Sequence, residues 1–167
     1  MTDTAVLAWP VDLEARQALA EYVAGLPSDP STISAAFDGT LRDLRGADLS
    51  WLRLPAAYLF NANLAGVRLV RAYLGNATLS GADLREANLT AADLRGAWLR
   101  SCWFGHEDNP ALLSDARLGG CRVEEATGVL TGPVDVGETA PQWIDGAELA
   151  AWFAAHGAPA VRVVGAS

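Results

Sequence analysis

Residues 81–99 read GADLREANLTAADLRGAWL. Leu84, Leu89, Leu94 and Leu99 stand five apart, and two residues before each stands an alanine: Ala82, Ala87, Ala92 and Ala97. Working outward, the leucine period runs back without a slip through Leu79, Leu74, Leu69, Leu64, Leu59, Leu54 and Leu49 to Leu44, and forward to Phe104. The partner two positions earlier is Ala47, Leu52, Ala57, Ala62, Val67, Ala72 or Ala77, and Cys102 before Phe104; only Arg42, before Leu44, breaks the rule. A fixed internal period signals an array of stacked units rather than a conventional core.

Five is neither the helical period near 3.6 nor the strand period of 2. Two apolar positions two residues apart share one face of a short extended segment. The other three residues of each unit are mostly Asp, Asn, Arg, Ser, Thr and Gly, which face water and turn a corner. Repeated, the pattern winds the chain into a coil whose turns hydrogen-bond to one another. Ala at one inward position and Leu at the other leave a narrow interior that stacking fills.

The runs ADLS, ANLAG and GADLREANLTAADLRGAWL resemble the pentapeptide-repeat family, whose motif is A(D/N)LXX. The resemblance covers residues 42–106 strongly and 111–128 weakly. It implies an all-β fold, a right-handed quadrilateral β-helix (a solenoid) with one pentapeptide per side and four per coil. For activity it implies little, because fold does not determine function. Counting by fours assigns the sides. The first takes Leu44, Leu64, Leu84 and Phe104; the second Leu49, Leu69 and Leu89; the third Leu54, Leu74 and Leu94; the fourth Leu59, Leu79 and Leu99.

Three parts follow. Residues 1–34 form an N-terminal helical cap and linker. Residues 35–128 form the repeat coil, interrupted by a loop near 105–110, and residues 129–167 a C-terminal strand/helix cap or dimerisation element. Within the first, residues 11–26 carry Val11, Ala15, Leu19, Tyr22, Val23 and Leu26 on one side of a helix that stops at Gly25. Ala5–Trp9 reads as a short assisting strand and Ser28–Ser34 as a linker. Residues 36–41 read as a lead-in coil around Phe37 and Leu41 whose register the period does not set.

Beyond Phe104, Asn109-Pro110 turns the chain, and the pattern returns with Ala111 and Leu113, Ala116 and Leu118, Cys121 and Val123. Phe104 and Val123 are not a multiple of five apart, so residues are looped out. Val129–Val136 reads as a strand pair around Gly132-Pro133, Asp145–His156 as a helix capped by Asp145, and Ala160–Val164 as a strand.

The formal charge of −8 is unevenly placed. Residues 42–106 hold five acids and eight bases, a balance of +3; residues 1–41 stand at −5 and residues 107–167 at −6. With no lysine and an acidic total, direct nucleic-acid binding is not expected, although Arg68, Arg71 and Trp51 gather on and beside the second side. No apolar run approaches the ~18 residues of a membrane span. Met1–Val11 lacks Lys and Arg and does not read as a signal peptide. Cys102 and Cys121 take small inward positions without metal spacing, so a reduced, cytoplasmic protein is the expectation.

No catalytic motif is present, and a coil filled with Ala and Leu has no internal pocket; no cofactor and no metal are expected. The fourth side presents Tyr58, Phe60, Thr78, Ser80, Trp98 and Arg100. Such an aromatic wall is either covered by the C-terminal segment or used for contact. The loop adds His106, Glu107 and Asp108, read chiefly as a polar surface loop. The first functional reading is a non-catalytic module that binds a protein partner through this wall, the loop, or both. The family resemblance implies another: an acidic mimic of duplex DNA that binds gyrase, a type II topoisomerase, and protects it from quinolones or toxins in bacteria. The +3 coil argues against that mimicry. An enzyme or biosynthetic accessory role would need a site at the caps, and a homodimer would use residues 129–167.

Overall fold

A computed structural model describes residues 6–27 and 35–165. The Ser28–Ser34 linker and Ala5 lie outside the described residues. From Asp38 onward the chain winds in a coil whose sides are four parallel ladders. On the first side Asp43 bridges Asn63, Asn63 bridges Asp83, and Asp83 bridges Trp103. The second side runs Asp48, Arg68, Asn88 and the third Arg53, Tyr73, Asp93; the fourth runs Asp38, Tyr58, Thr78, Trp98. Each step is twenty residues, four pentapeptides, and the four sides are those counted from the sequence. Leu44 to Leu99 and their alanine partners are buried in one continuous core.

The corner explains the motif. Leu52 N–H donates to Leu49 C=O at 3.1 Å, closing a turn whose third residue, Trp51, has φ +66°. Positive φ at that position is the type II turn geometry, and it recurs at Asn61, Arg71, Asn76, Glu86 and Ser101. The Asp or Asn between the two inward residues accepts the N–H two positions on: Asp48 from Ser50 (3.1 Å), Asn63 from Ala65 (3.2 Å), Asn88 from Thr90 (3.1 Å). These residue types make that bond readily, hence their place in the repeat.

The lead-in rung has its register set by Asp38 pairing with Tyr58. Here the sizes are exchanged: Phe37 takes the small position and Gly39 the large one. A Cβ on Gly39 would lie 2.8 Å from both Phe37 and Leu59, so glycine is what lets the ring in. Beneath this rung lies α1, Leu13–Ala24, whose N-cap Asp12 accepts from Ala15 N–H at 2.7 Å. Ala15 and Leu19 are buried, the Tyr22 ring meets Phe37 with centroids 5.5 Å apart, and its hydroxyl donates to Arg53 C=O at 2.6 Å. Val11, expected on the apolar side, is instead 85% exposed. It precedes the N-cap and lies off the helix. The Ala8 segment pairs antiparallel with Asp48 under the second side.

After Phe104 the step becomes twenty-four. Asn88 bridges Leu112, Asp93 bridges Arg117, Trp98 bridges Arg122 and Trp103 bridges Thr127. The corner at 105–110 therefore absorbs four extra residues and the pattern resumes in phase. The last turns of the coil are built from β1 (Ala111–Leu112) and β2 (Ala116–Arg117), with β3 (Thr127–Thr131) stacked on β1 and β4 (Val134–Asp135) on β2. The coil is closed by β5 (Trp143–Ile144), α2 (Gly146–Ala155) and β6 (Ala160–Val164). The strand pair expected within 129–136 does not form. β3 and β4 are successive sides of the coil and belong to different sheets, β1-β3-β6 and β2-β4-β5, because Leu130 and Val134 both turn inward. α2 plugs the end: Phe153 is fully buried and meets Phe104 edge-on, with centroids 6.0 Å apart.

Candidate functional site

The polar sides are largely neutralised within themselves. Arg45, Arg85 and Arg95 turn back onto Asp43, Asp83 and Asp93, with closest contacts of 2.6, 2.6 and 2.5 Å. Arg68 reaches Asp48 on the adjacent rung at 3.2 Å, and Arg117 sits between Asp93 and Asp135. Asp43 is held below the usual carboxylate range by the hydrogen bonds of Arg45. Partial burial pushes Asp93 up, but hydrogen bonds from Arg95 outweigh it and keep the group low. The basic cluster beside the second side is engaged too: Arg71 lies over the Trp51 ring at 4.7 Å.

The fourth side differs. Its outward positions from Tyr58 to Trp98 are aromatic or small, with Arg100 beside Trp98, and α2 with β6 closes the end of the coil rather than folding back over it. Tyr58, Phe60 and Trp98 remain 55%, 46% and 41% exposed. Phe60 and Trp98 border an open groove of about 490 Å³, lined also by Asn61, Thr78, Ser80, Gly81, Arg100, Ser101 and Glu125, and Tyr58 stands on the rung next to Thr78. Arg122 stacks over Trp98 at 4.6 Å, Arg100 approaches Glu124 at 3.5 Å, and Ser101 Oγ donates to Glu125 at 2.9 Å. Wall and floor belong to a hydrogen-bonded ladder, so the side chains stand on a stiff base.

His106, Glu107 and Asp108 do not join this site. Their loop turns the corner between the first and second sides, with the whole first side between it and the groove. His106 N–H donates to Asn109 Oδ1 at 2.9 Å, its ring meets Trp103 edge-on, and Glu107 pairs with Arg162 of β6. Among the described residues no group of three His, Cys, Asp or Glu is placed to hold a metal, and no helix is long and apolar enough to cross a membrane. Burial pushes the Cys102 and Cys121 thiols up to about 12, and both donate to backbone carbonyls at 2.9 Å.

Arg122, Glu124 and Glu125 were not among the expected site residues. They reach the fourth side only because the loop absorbs four residues, an offset that the spacing of the returning apolar pairs contains.

The pentapeptide-repeat family model, in eight copies, matches residues 43–81 and 68–104. No curated protein matches the chain. Among solved structures, HetL from the cyanobacterium Nostoc sp. strain PCC 7120, a pentapeptide repeat protein involved in heterocyst differentiation regulation, is 27% identical, with a TM-score of 0.48. That match covers 63% of this chain and 60% of HetL, so the chain spans less than two thirds of that relative's length. A second Nostoc pentapeptide repeat protein is 24% identical over 89% of this chain and 93% of its own, with a TM-score of 0.45. QnrB1, a plasmid-mediated fluoroquinolone resistance protein, is 14% identical over 77% of this chain and 80% of its own, with a TM-score of 0.28.

Proposed function

We propose that the chain, whose residues 43–104 match the pentapeptide-repeat family model, is a non-catalytic binding module whose fourth side docks a protein partner. The observation that carries this reading is the uncovered aromatic groove between Phe60 and Trp98 on a wall whose backbone is already paired. Aromatic and arginine side chains dominate binding hot spots, and Tyr and Trp give large contact area at low entropic cost. The coil is taken as right-handed, the usual hand of parallel connections.

The gyrase-protecting duplex mimic has no comparable support. A mimic needs a negative field along its length, whereas Asp43, Asp48, Asp83 and Asp93 are each paired with arginine. A homodimer through residues 129–167 would use the outer edge of β6, the last strand of its sheet.

A photo-reactive residue at Ser80 tests the reading. It should cross-link a partner that the same residue at Thr90, on the second side, does not, and Tyr58→Ser with Trp98→Ser should abolish the cross-link without lowering Tm. Equal cross-linking from Thr90, or capture unchanged in the double variant, would place the contact elsewhere. A supercoiling assay with gyrase and a quinolone tests the alternative: protection by the wild type that survives the double variant would favour the mimic.

A further inference from the structure

We propose that the fourth side receives a proline-rich segment in the polyproline II conformation, flanked by a basic residue. This inference rests on the docking reading above and names the partner's chemistry.

The rungs of this side alternate in size: Tyr58 and Phe60, then Thr78 and Ser80, then Trp98 and Arg100. Tyr58 pairs with Thr78 and Thr78 with Trp98, so the two ridges are two rungs apart, roughly 10 Å at the usual spacing of hydrogen-bonded strands. A polyproline II helix repeats every three residues, about 9 Å. Prolines one turn apart therefore meet both ridges, while the intervening pair enters the depression over Thr78, Ser80 and Gly81.

The other common peptide modes fit less well. Strand addition needs free backbone groups, but Thr78 N–H donates to Ala57 C=O at 2.8 Å and Leu79 N–H to Trp98 C=O at 2.8 Å. An α-helix with side chains is about 10–12 Å across, too wide to settle between ridges whose centres are that far apart. A polyproline II segment leaves its carbonyls unpaired, and the exposed residues Tyr58 and Trp98 on the two ridges each carry one donor, a hydroxyl and an indole N–H.

Charge selects the flank. Arg100 is engaged by Glu124 and Arg122 by the Trp98 ring. Glu125, at the upper end of the groove, has no ion pair among the described residues, so that end of the track attracts a cation.

The test is calorimetric titration with a short peptide carrying a Pro-x-x-Pro core and an arginine at each end, against its proline-to-alanine counterpart. The expected result is micromolar binding of the first and none of the second. Trp98→Ser and Tyr58→Ser should each weaken binding about tenfold or more, as aromatic anchors do. Glu125→Gln should weaken it about two- to threefold, and only for the arginine-flanked peptide. Trp51→Ser, an exposed tryptophan beyond the second side, is the control that should change nothing. Binding that survives replacement of the prolines, binding that depends on Trp51, or no binding up to the solubility limit overturns the inference. If a partner cross-links through Ser80 but the peptide neither binds nor competes, the docking reading stands and this inference alone fails.

Discussion

The coil from Arg42 to Phe104 and the segment from Ala111 to Val164 use the same inward pattern, but only the first keeps time. In the first, every rung stacks on the one twenty residues away. In the second, Asn88 meets Leu112 at twenty-four, Ala111 meets Leu130 at nineteen and Ala116 meets Val134 at eighteen. The coil then yields to α2 and β6. The lattice tolerates changes of length at corners, where side chains face water, and not along sides, where one residue's slip would turn every leucine outward. It also needs a different kind of ending, because a solenoid exposes its interior at its last rung.

The sharpest way to break this comparison is to open a cavity in each region. Leu74→Ala, mid-coil and fully buried, should cost about 2–5 kcal/mol, and Phe153→Ala, in the plug, about 3–5 kcal/mol. If the end is a separate lid, urea melts of the Phe153 variant will show an early phase that the Leu74 variant lacks; coincident single transitions would make coil and plug one cooperative unit.

A smaller effect is expected from the loop. Deleting Glu107–Pro110 removes the four extra residues, leaves Gly105 and His106 to turn the corner, and returns Ala111 and Leu113 to a five-residue phase. Stability should change by about 1 kcal/mol or less, since the Glu107–Arg162 pair is exposed. A deletion of only two residues should unfold the C-terminal segment, read as lost near-ultraviolet circular dichroism; equal tolerance of both would refute the register argument.

The smallest effects follow pH. Asp38 is held low by the Thr40 N–H, Asp43 by Arg45, and Asp93 by Arg95 against its partial burial. Their folded values lie below the unfolded one, so their contribution is present above roughly pH 4 and lost as pH falls through that region. Cys102 and Cys121 run the other way. Their thiols stay protonated toward about 12 when folded, so that contribution is intact below the unfolded value near ~8.5 and lost as pH rises past it. Tm should decline on both flanks. Asp93→Asn should flatten the acid side, and Cys102→Ala with Cys121→Ala the alkaline side; an unchanged profile would remove these groups from the account.

Much of this was legible in residues alone. The five-residue period placed Leu44 to Phe104 inside and sorted the outward residues onto four sides, and Asp145 marked the start of the second helix. Other features were hidden. The exchange of Phe37 for Gly39 defeats a pattern that expects the large residue in the leucine position. β3 and β4 look like a hairpin because local composition cannot say that each strand's partner lies a coil away. Val11 satisfied helical spacing yet fell outside the cap that starts the helix. Counting put Tyr58, Phe60, Trp98 and Arg100 on the fourth side, where the structure also has them, whereas His106, Glu107 and Asp108 stand on another corner.

By itself the sequence determined which side chains point inward and which share a side, because one short rule, repeated, leaves the backbone a single way to bury its leucines. Only the tertiary structure decided that the aromatic wall stays open, that Arg122 and Glu125 reach it, and that Arg45, Arg68, Arg85 and Arg95 pair with neighbouring aspartates. Those outcomes depend on where the C-terminal segment packs and on contacts between rungs twenty or more residues apart, which no local pattern encodes.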